Sequence, residues 1–467
     1  MQELSGRKVL VLGLGDTGLS LARWVARAGG GVRVADTRAA PPAEAQLRAA
    51  LPKAEVVTGS FTERLLAGID LVAASPGVPL AEPVVQSAIA RGIEVVGDVE
   101  LFARFFAQQP GTRVVAITGT NGKTTVTALT GAMCRAAGLD CEVAGNIAPA
   151  VLTALMHRLD SGRLPDVWVL ELSSFQLETT YSLAPEAATV LNVTADHLDR
   201  YPSMVEYAAA KARIFAGSGV QVLNRDDVAS AAMGRDGRRH ITFGLGSAPD
   251  HDAFGLLKVR GEYWLAMGAT PLVAVRDLRL EGLHNAANAL AALALSRAIG
   301  LPLAPMLEAL KAFRGLPHRV ERVAEIGGIA FYDDSKGTNV GSTVAALAGL
   351  ARQMNGSGGK IVLIAGGDGK QQDFAPLASA VAQAARTVVL IGRDAPRIAS
   401  AIGNSGTRLE RATSMTEAVM RAYEAARPGD IVLLSPACAS FDMFANYKER
   451  GAAFCAAVRE LEHARAR

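Results

Sequence analysis

Thr118-Gly119-Thr120-Asn121-Gly122-Lys123-Thr124-Thr125 combines a cation, hydroxyls and flexible backbone in a run suited to holding a polyphosphate. Lys123 supplies charge for the outer phosphates and Thr124 a hydroxyl for phosphate-bound magnesium, while the glycines let backbone N–H groups wrap an anion. Ile117 stands where the commoner loop has its first glycine, so the match is to a shortened variant; a tight structural turn is the competing reading. Downstream, Glu171 and His197 (in Asn192-Val193-Thr194-Ala195-Asp196-His197) offer oxygen and imidazole ligands at expected strand ends. A hydrogen-bonded structural histidine is the alternative for His197. A second glycine run, Gly13-Leu14-Gly15-Asp16-Thr17-Gly18 with Asp36 after the next apolar run, fits the dinucleotide fingerprint and by itself favours an NAD-dependent oxidoreductase. Asn285 and Asn288, one helical turn apart, present amides suited to adenine or phosphate, or else cap a helix. Lys370 ends Gly366-Gly367-Asp368-Gly369-Lys370 after an apolar run, either facing a ligand or solvated.

Elements able to position these groups recur three times. Lys8 to Leu12, a glycine turn and a helix to about Arg27 open the first unit, with Val32 to Ala35, Leu71 to Ala74 and Ile93 to Val96 as further strands. Gln108 to Gly111 interrupts that pattern. Arg113 to Ile117 begins the second unit, with strands at Val167 to Leu170, Thr189 to Asn192 and Val220 to Asn224, and a closing helix over Asn285 to Ile299. The third starts near Leu316 and contains Lys360 to Ala365, Thr387 to Ile391 and Asp430 to Leu434, with Met354 to Gly359 as an exposed loop. The expectation is an α/β chain of three domains: a Rossmann-like unit over 1–108, a central P-loop ATPase unit with a mostly parallel sheet over 109–315, and a Rossmann-like unit over 316–467.

The 467 residues suit that division, and a net charge of +3 with interspersed signs gives no field for nucleic acid. Cys134, Cys141, Cys438 and Cys455 form no CxxC pair, which points to free thiols in the cytoplasm and away from zinc. No apolar run approaches membrane-spanning length, so no membrane partner is expected.

Across all three units the chain resembles the Mur ligase family. The resemblance rests on Gly119-Thr120-Asn121-Gly122-Lys123-Thr124, Glu171-Leu172-Ser173-Ser174-Phe175-Gln176-Leu177-Glu178, His284-Asn285-Ala286-Ala287-Asn288, His318-Arg319-Val320, and Asp334-Ser335-Lys336 with Thr338-Asn339. It implies ATP held by Gly119, Thr120, Asn121, Gly122, Lys123, Thr124, Thr125, Asn285, Asn288, Arg319 and Asp334, with Lys336 beside the transferred γ-phosphate. Two magnesium sites are implied, using Thr124, Glu171, His197 and a carbamylated Lys211, whereas sequence alone reads Lys211 as a solvated helix residue. The glycine run would then hold a uridine diphosphate rather than NAD, with Asp16, Thr17, Asp36, Thr37, Arg38, Ser75 and Gly77 around it and Asn146 nearer the sugar-peptide.

The implied substrates are UDP-N-acetylmuramoyl-L-alanine and D-glutamate, the latter held by Thr338, Lys370, Ser440, Phe441 and Tyr447. Tyr447 stands where well-known members carry phenylalanine. The implied chemistry is an acyl-phosphate route without a covalent enzyme nucleophile, in a monomer whose third domain closes on the second about hinges near Leu316. A sister ligase for another amino acid, a folate polyglutamate ligase and an oxidoreductase remain as rivals.

Overall fold

The computed structural model describes residues 2–109, 111–280, 282–354 and 358–465. The apolar, β-branched runs pair into three sheets. The first holds β1 (Lys8–Leu12), β2 (Gly31–Asp36), β3 (Glu55–Thr58), β4 (Leu71–Ala74) and β5 (Glu94–Val96) in the order β3-β2-β1-β4-β5, all parallel. The second comprises β6 (Arg113–Thr118), β7 (Cys141–Gly145), β8 (Val167–Glu171), β9 (Ala187–Val190), β10 (Val220–Asn224), β11 (His240–Phe243), β12 (Phe254–Val259), β13 (Glu262–Met267) and β14 (Thr270–Ala274). Their order is β14-β13-β12-β11-β10-β9-β6-β8-β7. The third has β15 (Glu321–Ile326), β16 (Ile329–Asp333), β17 (Ile361–Gly366), β18 (Ala385–Ile391), β19 (Arg408–Arg411) and β20 (Ile431–Leu434), ordered β15-β16-β20-β17-β18-β19. This is the expected three-part, parallel-rich α/β architecture.

Several elements differ from expectation. The strand foreseen at Thr189 to Asn192 is β9 and ends at Val190, because Asn192 turns out to bond the phosphate loop. The central sheet also carries an unforeseen antiparallel extension through β12, β13 and β14, and the third sheet opens on an antiparallel pair, β15 with β16. These strands lie toward sheet edges, where one face is wet and continuous apolar runs are unnecessary. The expected turns at Gln108 to Gly111 and Met354 to Gly359 include Pro110 and Asn355 to Ser357, which lie outside the described residues.

Packing ties the first two sheets together. One buried cluster runs from Val9 and Trp24 through Phe102 to Trp168, Leu170 and Phe215. The helix Asp98–Phe106 forms this seam, with the Phe102 and Trp168 rings 5.1 Å apart, edge to face. Its Glu100 accepts from Tyr181 N (2.6 Å) and Ser182 N (2.8 Å), so two backbone donors of the central unit are satisfied across the seam. A second cluster buries the helices Lys123–Ala136 and Leu283–Ala298 against the other face of the central sheet. Two further clusters sandwich the third sheet. Among the described residues no helix is long and apolar enough to cross a membrane, and all four cysteines are free.

Candidate active site

β6 delivers the phosphate loop, and its register fixes the neighbours. Ile117 is paired with Glu171 at the end of β8, and Thr118 with Val190 at the end of β9. Parallel pairing therefore brings the carboxyl ends of three strands to one edge, where the helix Lys123–Ala136 also begins. Gly122 makes the turn with φ +84°, and a side chain there would collide with the Asn288 amide. Asn121 N donates to Asn192 Oδ1 (2.8 Å) and Asn192 Nδ2 returns a bond to Asn121 O (3.1 Å), clamping the loop to the segment after β9. Lys123 Nζ donates to the Gly119 and Thr120 carbonyls at 2.8 and 2.9 Å. Burial holds its ammonium below the ordinary lysine range, opposed by the negative charges of Glu171 and Asp196.

The residues around the loop fit a divalent cation. Glu171 is 2% exposed; its Oε1 accepts from Asn146 Nδ2 (2.9 Å), while Oε2 has no hydrogen-bond partner among the described residues. A buried carboxylate oxygen left this way calls for a cation. Lys211 is 1% exposed, which overturns the solvated-residue reading. Its Nζ donates to Gly119 O (3.0 Å) and lies 4.5 Å from the centroid of the Tyr207 ring. Burial drives its pKa well below the ordinary lysine value. His197 does not sit at a strand end as expected; it lies in the loop beyond β9, with φ +56°. Burial lowers its pKa to about 4, so the imidazole is neutral at neutral pH, and it packs edge-on to Phe175.

The third unit reaches this edge directly. Arg319 Nη2 donates to Thr124 Oγ1 (2.6 Å), and Asn339 Nδ2 to Asn121 Oδ1 (3.1 Å) and Asp196 Oδ2 (3.2 Å). Lys370 Nζ donates to Asp196 Oδ1 at 3.0 Å. Asp196 is thus a site residue that the sequence reading passed over, a buried carboxylate joining two domains. Asn285, Asn288, Arg319 and Asp334 line one cavity of about 290 Å³ beside the phosphate loop. Lys336 Nζ stands 4.1 Å over the Tyr447 ring, and burial, reinforced by Arg319 and Lys123, lowers its pKa to about 8. Thr338 is half-buried, Ser440 is buried, and Phe441 is 73% exposed. Mutual backbone bonds between Asp368 and Ala439 set the Ser440 loop beside Lys370.

Burial raises the Asp334 pKa to about 7, against the pull of a bond from Ser435 Oγ (2.7 Å). A carboxyl whose folded pKa is raised binds more protons folded than unfolded between pH 4 and 7, so stability falls as pH rises through that window. Asp334→Asn is expected to flatten this decline, on the order of 1–3 kcal/mol, in thermal melts from pH 4 to 8. Parallel wild-type and variant curves would reject the assignment.

All eight residues expected around the uridine nucleotide, Asp16, Thr17, Asp36, Thr37, Arg38, Ser75, Gly77 and Asn146, line a separate cleft of about 860 Å³. Asp36 Oδ2 accepts from Leu14 N (2.6 Å), and Oδ1 accepts from Arg38 N (2.9 Å) and Nε (2.8 Å). The Arg38 bonds hold its pKa down to about 2. Its oxygens are therefore engaged by the glycine loop and by Arg38, unlike the free acid that reads a dinucleotide ribose. Asn146 belongs to both places, lining this cleft and bonding Glu171.

A nucleotide-sized cleft on one sheet, a phosphate loop on the next and cations brought in by a third unit are the arrangement of a three-domain ATP-dependent ligase. Known proteins agree along the whole chain. Residues 7–97 match the family description "Mur ligase MurD-like, N-terminal domain", 117–296 the "Mur ligase middle domain" and 318–438 the "Mur ligase, glutamate ligase domain". UDP-N-acetylmuramoylalanine–D-glutamate ligase of Nitrosospira multiformis is 59% identical, with 99% of this chain and 97% of that one covered. The protein of that name from Aromatoleum aromaticum is 56% identical over the full length of both. Among solved structures, a pseudomurein peptide ligase type C from Methanothermus fervidus shares the fold with a TM-score of 0.60 at 17% identity, covering 98% of this chain and 100% of that one. UDP-N-acetylmuramate-alanine ligase from Thermotoga maritima does so with a TM-score of 0.60 at 21%, covering 97% and 99%. The chain belongs to the Mur ligase family, whose members are ATP-dependent ligases using magnesium.

Proposed function

We propose that this chain adds D-glutamate to UDP-N-acetylmuramoyl-L-alanine with ATP, as a cytoplasmic step of peptidoglycan precursor synthesis. The reading is carried by the convergence of Lys123, Glu171, Lys211 and Lys336 on one sheet edge, reached by the nucleotide cleft through Asn146 and by the third unit through Lys370. The names and near-complete coverage of the relatives support the same substrates.

A carboxylate is a poor electrophile, so the substrate acid attacks the γ-phosphorus of ATP, releasing ADP and forming an acyl-phosphate. The amine of D-glutamate then attacks the acyl carbon, and phosphate leaves the tetrahedral adduct as the amide forms. Lys123 and the loop amides hold the β- and γ-phosphates, Asn285, Asn288, Arg319 and Asp334 enclose the nucleoside end, and Lys336 faces the charge that builds on the transferred group. Two magnesium ions, held by Thr124, Glu171, His197 and a carbamylated Lys211, would supply further charge neutralisation. His197, neutral near pH 7, has one lone-pair ring nitrogen free to ligate magnesium. Lys370, Thr338 and the Ser440 loop provide the acceptor carboxylate contacts, with Tyr447 holding Lys336 from below.

Phosphate release measured with D-glutamate, L-glutamate, L-alanine and meso-diaminopimelate in turn tests the acceptor. D-Glutamate is expected to be preferred by about a hundredfold or more in kcat/KM, and preference for any other acceptor would overturn the substrate reading. Lys370→Ala should raise the D-glutamate KM about tenfold while leaving the ATP KM near its wild-type value.

A further inference from the structure

Arg450 is 1% exposed on the helix Tyr447–Arg465, and among the described residues its guanidinium hydrogen-bonds no carboxylate. Its partners are all neutral. Nε donates to Ser335 Oγ (3.1 Å), Nη2 to Ser335 O (2.8 Å) and Nη1 to Cys438 O (3.0 Å). Burial accordingly lowers its pKa to about 10. Asp442, Asp333 and Asp334 act on it only from beyond ion-pair distance, and a buried cation without a direct ion pair is unfavourable beside an apolar residue of similar size, so packing alone does not account for an arginine here.

What the guanidinium joins accounts for it better. Each peptide that accepts from it continues into another loop of the site. The peptide beginning at Ser335 donates through Lys336 N to His318 O (3.1 Å), beside Arg319; the peptide beginning at Cys438 donates through Ala439 N to Asp368 O (2.8 Å), beside Lys370. Ala437 N also donates to Gly337 O (2.9 Å), so the two loops touch directly. From the same helix, Tyr447 O accepts from Ser335 Oγ (2.7 Å), and the next turn carries Gly451, where a side chain would collide with the His318–Asp333 hydrogen-bonded pair. A planar, forked guanidinium meets the carbonyls of the two loops with separate donors held in fixed geometry, whereas a lysine offers a single point charge without that fork.

We infer that Arg450 is a positioning residue that locks the Lys336 loop to the Ser440 loop, so that the phosphate-facing and acceptor-facing halves of the third domain form as one rigid piece. The inference rests on the proposed roles of those two loops. It places specificity for the acceptor partly on a residue that touches no substrate, since slack in the hub lets the Ser440 loop drift relative to Lys336.

The test uses the full chain with Arg450→Lys and Arg450→Ala, read by hydrogen exchange and by steady-state kinetics. In both variants, peptides covering 334–338 and 436–441 should exchange faster together, while those covering 119–125 keep wild-type protection. The D-glutamate KM should rise about tenfold or more with the KM for the UDP-linked substrate within about twofold, and methylguanidine should restore part of the loss in Arg450→Ala. Exchange that rises in one loop alone, or in neither, overturns the inference, as does an equal change in every KM. If Arg450→Ala does not fold, Arg450→Lys, which keeps the charge but not the fork, decides. The exchange measurement needs no turnover, so a wild-type chain inactive on D-glutamate would reject the proposed reaction and still leave the Arg450 hub tested.

Discussion

Lys123→Ala is expected to lower kcat for ADP formation by about a thousandfold, the scale for removing a preorganised donor from the centre where charge develops. The structure gives the reason the loss should be confined to phosphate chemistry. Lys123 Nζ bonds only carbonyls of its own loop, Gly119 and Thr120, among the described residues, and it shares no contact with the cleft that holds Asp36 and Ser75. Affinity for the uridine end of the substrate, measured by titration with UDP, should therefore stay within about twofold of wild type. Removing a partly buried ammonium that burial already disfavours should also leave the melting temperature close to the parent's. A coupled ADP assay showing less than a tenfold fall would remove Lys123 from the centre of the reaction.

The phosphate loop was legible because every determinant is local: an apolar strand, glycines at the turn, then lysine and threonine at a helix start. Glu171 was legible for a similar reason, as the polar residue ending an apolar run. Asp196 was not, because its place depends on Lys370, 174 residues away, and nothing in its own segment announces that partner. Lys211 misleads by type, and Arg450 passes unremarked for the same reason. A charged residue on a helix reads as solvated, and only the tertiary fold turns Lys211 under the Gly119 carbonyl and Arg450 between two loops. His197 shows the opposite error, since the reading placed it at a strand end and β9 stops earlier to let Asn192 clamp the loop. The first two units read as separate because the turn near 108 breaks the pattern, whereas Phe102 and Trp168 share one core across it.

Lys211→Ala should match the kinetic loss of Lys123→Ala, about a thousandfold in kcat, but respond differently to added ligands. Burial favours the free amine of Lys211, and a free amine is the form that adds to carbon dioxide: nitrogen bonds the carbon, a proton leaves, and a carbamate anion results. That anion would stand where Nζ now meets Gly119 O, at the phosphate loop, converting a lysine into an anionic oxygen ligand for magnesium. Formate or acetate at millimolar levels should then recover about tenfold of the lost rate in Lys211→Ala and none in Glu171-intact Lys123→Ala, whose defect is a missing cation. The alternative, a lysine that only ties its helix to the phosphate loop, predicts a stability loss with no carboxylate rescue. Linkage separates the two independently. An unmodified Lys211 with a lowered folded pKa binds fewer protons folded than unfolded, so wild-type stability would climb with pH toward the ordinary lysine value near 10.5. Carbamate forms on the folded chain alone and still requires the lysine to give up its proton, so the climb is retained in bicarbonate and the melts there should lie above those in carbon-dioxide-free buffer. Identical melts in the two buffers, together with no rescue by short acids, would leave Lys211 as a neutral structural amine.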